Sequence, residues 1–358
     1  MLEIREISVP GYKKVIEAKD RAVNLHGFIA IHDTTLGPAL GGTRFYPYKQ
    51  PEEALTDVLR LAKSMTYKSA LAEDGLGGGK SVIMGNPHKD KTEKLLLSFA
   101  EAINTLKGDY IAAEDVGTCT EDMEILRKKT QFVVALPSEK SSGDPSRFTA
   151  WGVFRGIQAV AMKLWGSTSL KGKKVLIQGL GHVGSKLANM LFWEGAELIL
   201  SDIDEKLMHD QALLYGAETV DYHDVYKQKC DIFAPCAMGS SINDETVKLL
   251  KCKAVAGAAN NQLQREENGL MLMQKGILYA PDYLINSGGI INVATELEPN
   301  GYDPKIAREK IDHIYERLLA LFELSEKQKK PPNQVANEIA EHNLKMKIGA
   351  RKVPVKFK

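Results

Sequence analysis

Three consecutive glycines deliver a lysine in the run Gly77-Gly78-Gly79-Lys80-Ser81. Glycine leaves room for close backbone approach, and a lysine held in a cramped, partly dry place gives up its proton more easily than one in water. A neutral amine of that kind is a general base. Gly-Lys-Ser also closes a phosphate-binding loop, but that loop needs a glycine where this chain has Asp74. A carboxylate there repels phosphate, so nucleotide hydrolysis is excluded.

A second glycine cluster, Gly179-Leu180-Gly181-His182-Val183-Gly184, has the spacing of a dinucleotide-binding turn. It follows the apolar run Val175-Leu176-Ile177 and opens a helical stretch. Gly179 suits the tight turn, Gly181 lets backbone approach a pyrophosphate, and Gly184 lets helix and strand pack closely. The pyrophosphate is expected on the N–H groups at the helix start. Asp202 lies about 20 residues on, where a carboxylate bonds the adenine ribose hydroxyls. It repels the extra phosphate of NADP, so NAD is the expected cofactor. Asp204 is a rival for that contact, read as solvated. Leu180, His182, Val183, Ser185, Ile203 and Thr149 complete the cofactor candidates around these motifs.

The elements that must hold these groups are legible in outline. Phe28-Ile29-Ala30-Ile31 reads as a strand. Pro51 opens a helix at a position where its missing N–H costs nothing, and Leu55, Val58, Leu59 and Ala62 then recur on one face. Val82-Ile83-Met84 reads as a short strand after the glycine loop. Lys94 to Leu106 is a second amphipathic helix, and Asp109 to Ala113 a strand ending at Glu114-Asp115. Ser141 to Arg147 mixes Ser, Gly, Asp and Pro and reads as a hinge. Beyond it, short apolar runs alternate with helical segments, which predicts a parallel sheet with helices on both faces. Pro304 to Lys327 reads as a helix closing that domain, and Pro332 to Ile348 as one that packs back on the first. The expected fold class is α/β in two domains: an amino-terminal α/β substrate domain and a Rossmann-type NAD-binding domain, with a cleft between them. The substrate and oligomerisation domain is placed at 1–140, joined by 330–358, and the nucleotide domain at 141–329.

Bulk properties narrow the function classes. The chain has 358 residues, 44% hydrophobic and 26% charged, with a formal net charge of +1. That balance gives no general attraction to nucleic acid or to an anionic membrane. The basic residues from Arg351 to Lys358 read as a solvated tail. No segment has the length of apolar residues needed to span a bilayer, and Met1 to Lys14 has no hydrophobic stretch suited to a signal peptide. The four cysteines, Cys119, Cys230, Cys236 and Cys252, lack metal spacing and fit buried thiols in a reducing compartment. A cytoplasmic protein without a bound metal is expected.

Further runs carry a resemblance. Thr34 through Arg44, Met65-Thr66-Tyr67-Lys68, Gly77 to Lys80, Ala113-Glu114-Asp115-Val116-Gly117, Ser141-Ser142-Gly143, Ile232 to Ala237, Gly257 to Gln262 and Asn286-Ser287-Gly288-Gly289 resemble the Glu/Leu/Phe/Val dehydrogenases. The likeness runs in unbroken order over roughly residues 20 to 320 and is nearest the leucine-acting members. It implies reversible oxidative deamination of an L-amino acid to a 2-oxo acid and ammonium. Lys80 matches the catalytic base and Asp115 the carboxylate that exchanges protons with the substrate nitrogen. Lys68 matches the lysine that holds the substrate carboxylate, helped by Asn261, and is expected to depress the Lys80 pKa by like charge. Asn260 falls beside the nicotinamide ribose, and Cys236, Ala237 and Asn286 belong to the cofactor set.

By the same resemblance Leu40, Gly41, Gly42, Met65, Ala113, Val134, Ile290 and Val293 line the substrate side chain. The side chains among them are apolar, and Ala113 takes up room that an aromatic ring would use. Leucine, valine and isoleucine are therefore the expected substrates, and a one-carbon difference separates them by only about 1–3 kcal/mol. The alternatives are the same chemistry on phenylalanine or tryptophan, and an NAD-binding protein whose catalysis has been lost. The resemblance also implies a homo-oligomer and hinges near Ser141–Arg147 and Glu296–Gly301. Ser240 stands where the leucine-acting pattern has glycine.

Overall fold

Alternating apolar residues build the first sheet, and its two faces take different helices. The computed structural model describes residues 1–136, 141–355 and 357. The expected domain boundary at 140/141 falls at the edge of a segment outside the described residues, as do Lys356 and Lys358 of the tail.

Contacts divide the chain into two units, one of residues 1–144, 292–304 and 340–358, the other of 145–291 and 305–339. In the first unit the order is β1 (Glu3–Glu6), β2 (Lys14–Asp20), β3 (Leu25–Asp33), β4 (Ala39–Tyr46), α1 (Pro51–Ala72), β5 (Gly77–Met84), α2 (Glu93–Asn104), β6 (Tyr110–Glu114) and α3 (Thr120–Arg127). The six strands form one mixed sheet in the order β1-β2-β3-β5-β4-β6. Helix α1 starts at Pro51 with Glu52 and Glu53 in its first turn, where carboxylates complement the helix dipole. Its Ala54, Val58 and Ala62 pack with Val15, Phe28, Ala30 and Val82 on one sheet face. On the other face Ile29, Ile31, Phe45 and Ile83 pack with Leu95, Phe99 and Ile103 of α2.

Two expectations change here. The glycine run is the first half of β5, not a loop before a strand, and none of its three glycines has a positive φ. They are glycine because of what lies against them. A Cβ on Gly78 would overlap the Thr66 backbone in α1, and one on Gly79 would come within 2.8 Å of the Tyr110 ring. Glycine inside a strand marks such close approaches. The basic tail is also not merely solvated. Arg351 donates from Nη1 to the Leu297 carbonyl at 2.8 Å and from Nε to the Gly75 carbonyl at 3.2 Å, and Phe357 meets Phe132 edge to face.

The second unit continues with α4 (Ser146–Trp165), β7 (Lys174–Gln178), α5 (Gly184–Trp193), β8 (Glu197–Ser201), α6 (Glu205–Tyr215), β9 (Glu218–Thr219), β10 (Ile232–Pro235), α7 (Asp244–Leu249), β11 (Ala254–Val255), α8 (Glu267–Gln274), β12 (Leu278–Tyr279) and α9 (Asp282–Ile285). Its strands are all parallel, in the order β12-β11-β10-β7-β8-β9. That is the doubly wound nucleotide-binding order, which reverses between β7 and β10.

Helix α10 (Gly288–Thr295) begins in this unit and ends in the first. Helices α11 (Pro304–Asp312) and α12 (Ile314–Gln328) share the span expected as one helix, interrupted at His313, whose ψ of −9° is nearer a turn than a helix. The last helix, α13 (Pro332–Met346), reaches residues that pack in the first unit, where Asn343 donates to the Ala70 carbonyl at 3.0 Å. Among the described residues no helix is long and apolar enough to cross a membrane.

Gly78→Ala tests the close approach of α1 to β5. The added methyl must push the Thr66 backbone away, which costs about 1–3 kcal/mol. Thermal unfolding should therefore start several degrees lower. An unchanged melting temperature contradicts this account of the glycines.

Candidate active site

Strand alternation decides which side chains meet. Gly78 faces Thr66, and Val82 joins the α1 cluster, so Lys80 between them also points to the α1 side of the sheet. On β4 the same face carries Leu40, Gly42 and Arg44, and Ala113 on β6 pairs with Gly42. Asp115 follows β6 in a turn pinned by Thr118, whose hydroxyl accepts from the Asp115 N–H at 2.9 Å and donates to the Thr43 carbonyl at 2.8 Å.

Lys80 Nζ lies 2.9 Å from Asp115 Oδ1, with the lysine side chain only 7% exposed. Gly42 is required beside them. A Cβ there would sit 2.8 Å from Asp115 Cβ and 3.2 Å from Lys80 Nζ. Burial pushes the Lys80 ammonium below the usual lysine range, the Asp115 charge opposes that, and the Arg44 guanidinium adds like-charge repulsion. Burial would raise the Asp115 carboxyl, but Lys80 and Arg44 together hold it below the usual carboxylate range. The pair is therefore a carboxylate beside an amine of weakened proton affinity, the arrangement a proton-transfer site needs.

The remaining predicted substrate residues fall in known places. Met65 and Lys68 stand one turn apart on α1, both half-buried. Leu40 and Val134 are buried, and the Val134 N–H donates to the Ala112 carbonyl at 3.0 Å, beside Ala113. The Gly41 carbonyl accepts the Tyr110 hydroxyl at 2.7 Å. Val293 is buried on α10 within the first unit, whereas Ile290 and Asn261 belong to the second. Asn261 has a left-handed backbone, φ +50°, and its N–H donates to Asp282 Oδ2 at 2.8 Å.

In the second unit the glycine loop joins β7 to α5. Gly179 has φ +97°, and a Cβ on it would lie 2.8 Å from Ala237 Cβ at the end of β10. Gly184 packs against the Gly179 carbonyl, while among the described residues nothing lies within 4 Å of a Cβ on Gly181. Among the described residues no side chain caps α5, and of its first N–H groups that of Ser185 donates to the Gly181 carbonyl at 3.1 Å. Within this loop the Ser185 hydroxyl bonds the Leu180 carbonyl, the His182 carbonyl accepts Lys186, and Val183 is half-buried.

Asp202 Oδ2 accepts the Leu180 N–H at 2.6 Å, which fixes the acid beside the loop, and Ile203 next to it is 80% exposed. Asp204 is not free: its carboxylate caps α6 by accepting the Leu207 N–H at 3.0 Å. The Cys236 N–H donates to the Gln178 carbonyl at 2.7 Å, so β10 ends alongside the loop. Asn286 donates to Asn260 Oδ1 at 2.9 Å, and its own Oδ1 is buried with no partner among the described residues. Thr149 donates to the Pro145 carbonyl at 3.1 Å, close to Gly289. The open Gly181, the uncapped helix, the fixed acid and the orphaned amide oxygen all fit a dinucleotide.

Three features escaped the sequence reading. Arg44, Asp57 and Tyr48 extend the charge network; only Arg44 carried a signal, two residues beyond Gly42 on the same strand face. Glu296 Oε1 accepts from the Ala135 N–H at 3.0 Å, the Ser142 N–H at 2.8 Å and the hydroxyls of Ser141 and Ser142, so the two segments read as hinges are tied together. Cys119 is exposed at the start of α3, not buried. Ser240, in place of the pattern's glycine, takes φ +59°, the region glycine favours.

Comparisons with known proteins give the family. Residues 11–132 match the family model described as Glu/Leu/Phe/Val dehydrogenase, dimerisation domain, and residues 200–355 match Glutamate/Leucine/Phenylalanine/Valine dehydrogenase. The leucine dehydrogenase of Thermoactinomyces intermedius is 48% identical over 336 residues, covering 94% of this chain and 91% of its own. The phenylalanine dehydrogenase of Caldalkalibacillus thermarum is 44% identical, with 93% and 91% covered. The crystal structure of L-tryptophan dehydrogenase from Nostoc punctiforme superposes with a TM-score of 0.82 at 40% identity, covering 94% and 96%. The chain belongs to the Glu/Leu/Phe/Val dehydrogenase family and is an amino acid dehydrogenase.

Proposed function

We propose that the chain catalyses NAD-dependent oxidative deamination of branched-chain L-amino acids, reversibly, to the 2-oxo acid and ammonium. The observation that carries this reading is the buried Lys80–Asp115 contact at 2.9 Å. Lys80 in its neutral form removes a proton from the substrate ammonium, or from water attacking the imino acid, and Asp115 exchanges protons with the substrate nitrogen. Lys68 holds the substrate carboxylate by a charge-assisted hydrogen bond, and Asn261 assists it. The apolar Leu40, Met65, Ala113, Val134, Ile290 and Val293, with Gly41 and Gly42, select an aliphatic side chain.

The Gly179–Gly184 loop with Ser185 holds the pyrophosphate, and Asp202 with Ile203 holds the adenosine end. Thr149, Cys236, Ala237, Asn260 and Asn286 hold the nicotinamide end. The chemistry supplied by bound NAD is acceptance of the hydrogen and its electron pair from the substrate Cα. Asp202 supports NAD over NADP by repelling a 2′-phosphate. The amino-terminal match to a dimerisation domain supports a homo-oligomer, the near-neutral charge argues against a nucleic-acid or membrane partner, and the free cysteines support a cytoplasmic enzyme.

Lys80→Ala should lower turnover by about 10²–10⁴-fold while NAD still binds. Retained turnover contradicts the base role, and lost NAD binding contradicts the separation of the two sites. In the unsubstituted chain kcat/KM should rise with pH as Lys80 loses its proton. Because its pKa is lowered, that rise should be centred below the ordinary lysine value of about 10.4. Initial rates of NADH formation with leucine, valine, phenylalanine and tryptophan, repeated with NADP, test the specificity. An aromatic preferred by about tenfold, or NADP preferred to NAD, defeats the finer assignment.

A further inference from the structure

The charges around Lys80 do not stop at Asp115. Arg44 Nε donates to Asp115 Oδ2 at 2.9 Å, and its Nη1 donates to Asp57 Oδ2 on α1 at 2.8 Å. The Tyr48 hydroxyl donates to that same Asp57 oxygen at 2.7 Å, and Arg60 reaches the other at 3.1 Å. The Arg44 side chain is only 21% exposed. A guanidinium is planar, permanently charged and shaped to present two N–H groups in fixed directions. Here it spans two acids from different elements, the turn after β6 and the second turn of α1.

We propose that Arg44 is a positioning residue for the reaction: its guanidinium clamps Asp115 by Oδ2 so that Oδ1 faces Lys80, and its fixed charge tunes the base. The inference rests on the reading of Lys80 as the proton acceptor. The groups facing Lys80 are Asp115 from the turn, Arg44 from β4 and Asp57 from α1, with Tyr48 and Arg60 on the far side of Asp57. Lys68 is carried on α1 as well. When Lys80 is protonated, it and Arg44 balance the two acids. Without Arg44 the acids face Lys80 as their inner cation, so the amine holds its proton more tightly. Asp115 also keeps one fixed partner instead of two.

The test is the pH profile of kcat and KM for L-leucine, with saturating NAD, in the full chain and in Arg44→Gln and Arg44→Lys. In Arg44→Gln the rise of kcat/KM with pH should move upward by about one unit, with plateau kcat lowered about 10–100-fold. Arg44→Lys keeps the charge, so its midpoint should stay. Its kcat should still fall about tenfold, because one ammonium cannot present a fork to both acids. KM for leucine should change less than about twofold in both, since the clamp does not hold substrate.

A folded Arg44→Gln with an unmoved midpoint overturns the proposal, as does Arg44→Lys with full kcat. Where circular dichroism shows Arg44→Gln unfolded, Arg44→Lys decides alone: unchanged kcat, or a loss confined to KM, overturns the clamp. Lys80→Ala is run alongside. If that variant keeps turnover the underlying reading fails, an outcome distinct from failure at Arg44.

Discussion

Lys80 and Asp115 meet at 2.9 Å where water is largely excluded, and two opposed effects set what that contact can do. Attraction between unit charges about 3 Å apart is roughly 5 kcal/mol at an effective dielectric near 20. Removing an ion from water costs several kcal/mol. The two are comparable in size; at Lys80 burial is the larger, and the like charge of the Arg44 guanidinium adds to it. A surface lysine–aspartate pair lacks this balance because solvent screens both effects.

Much of the first unit can be read as the means of keeping that pair dry and close. Gly42 leaves out the one Cβ that would part Asp115 from Lys80. Gly78 lets α1 lie directly over the strand that carries Lys80, and α1 brings Asp57 to the outer side of Arg44. Gly79 and Tyr110 do the same on the opposite face, where the Tyr110 hydroxyl ties Gly41 to Ser81. Side chains have been removed where backbone or charge must come near. The second unit uses the same economy at Gly184, which packs against the Gly179 carbonyl, whereas open space remains at Gly181.

How much of this the sequence disclosed depended on the kind of constraint. Gly179 and Gly184 were legible because the turn and the helix packing each impose a residue type at a fixed spacing. The parallel second sheet followed from apolar runs alternating with helices. Gly77 to Gly79 were located but misread as a loop. Sequence does not distinguish a glycine needed for its φ from one needed because another backbone lies against it. The Arg44–Asp57–Tyr48 network was invisible for a related reason: a charge on a strand or helix reads as solvated until the opposing element is placed. Asp204 looked like a ribose ligand or a solvated acid, and its use as a helix cap depended on where α6 begins. The Arg351 docking depended on Gly75 and Leu297, remote in sequence.

The titration of Lys80 itself bears most directly on the account. It can be followed by NMR in the folded chain carrying isotope-labelled lysine, with the Lys80 signal assigned by its loss in Lys80→Arg. The structure predicts a midpoint clearly below the ordinary lysine value of about 10.4, with burial as the cause. A midpoint at or above that value would mean that Asp115 outweighs burial. Lys80 would then be a fixed cation, and the base role would be lost.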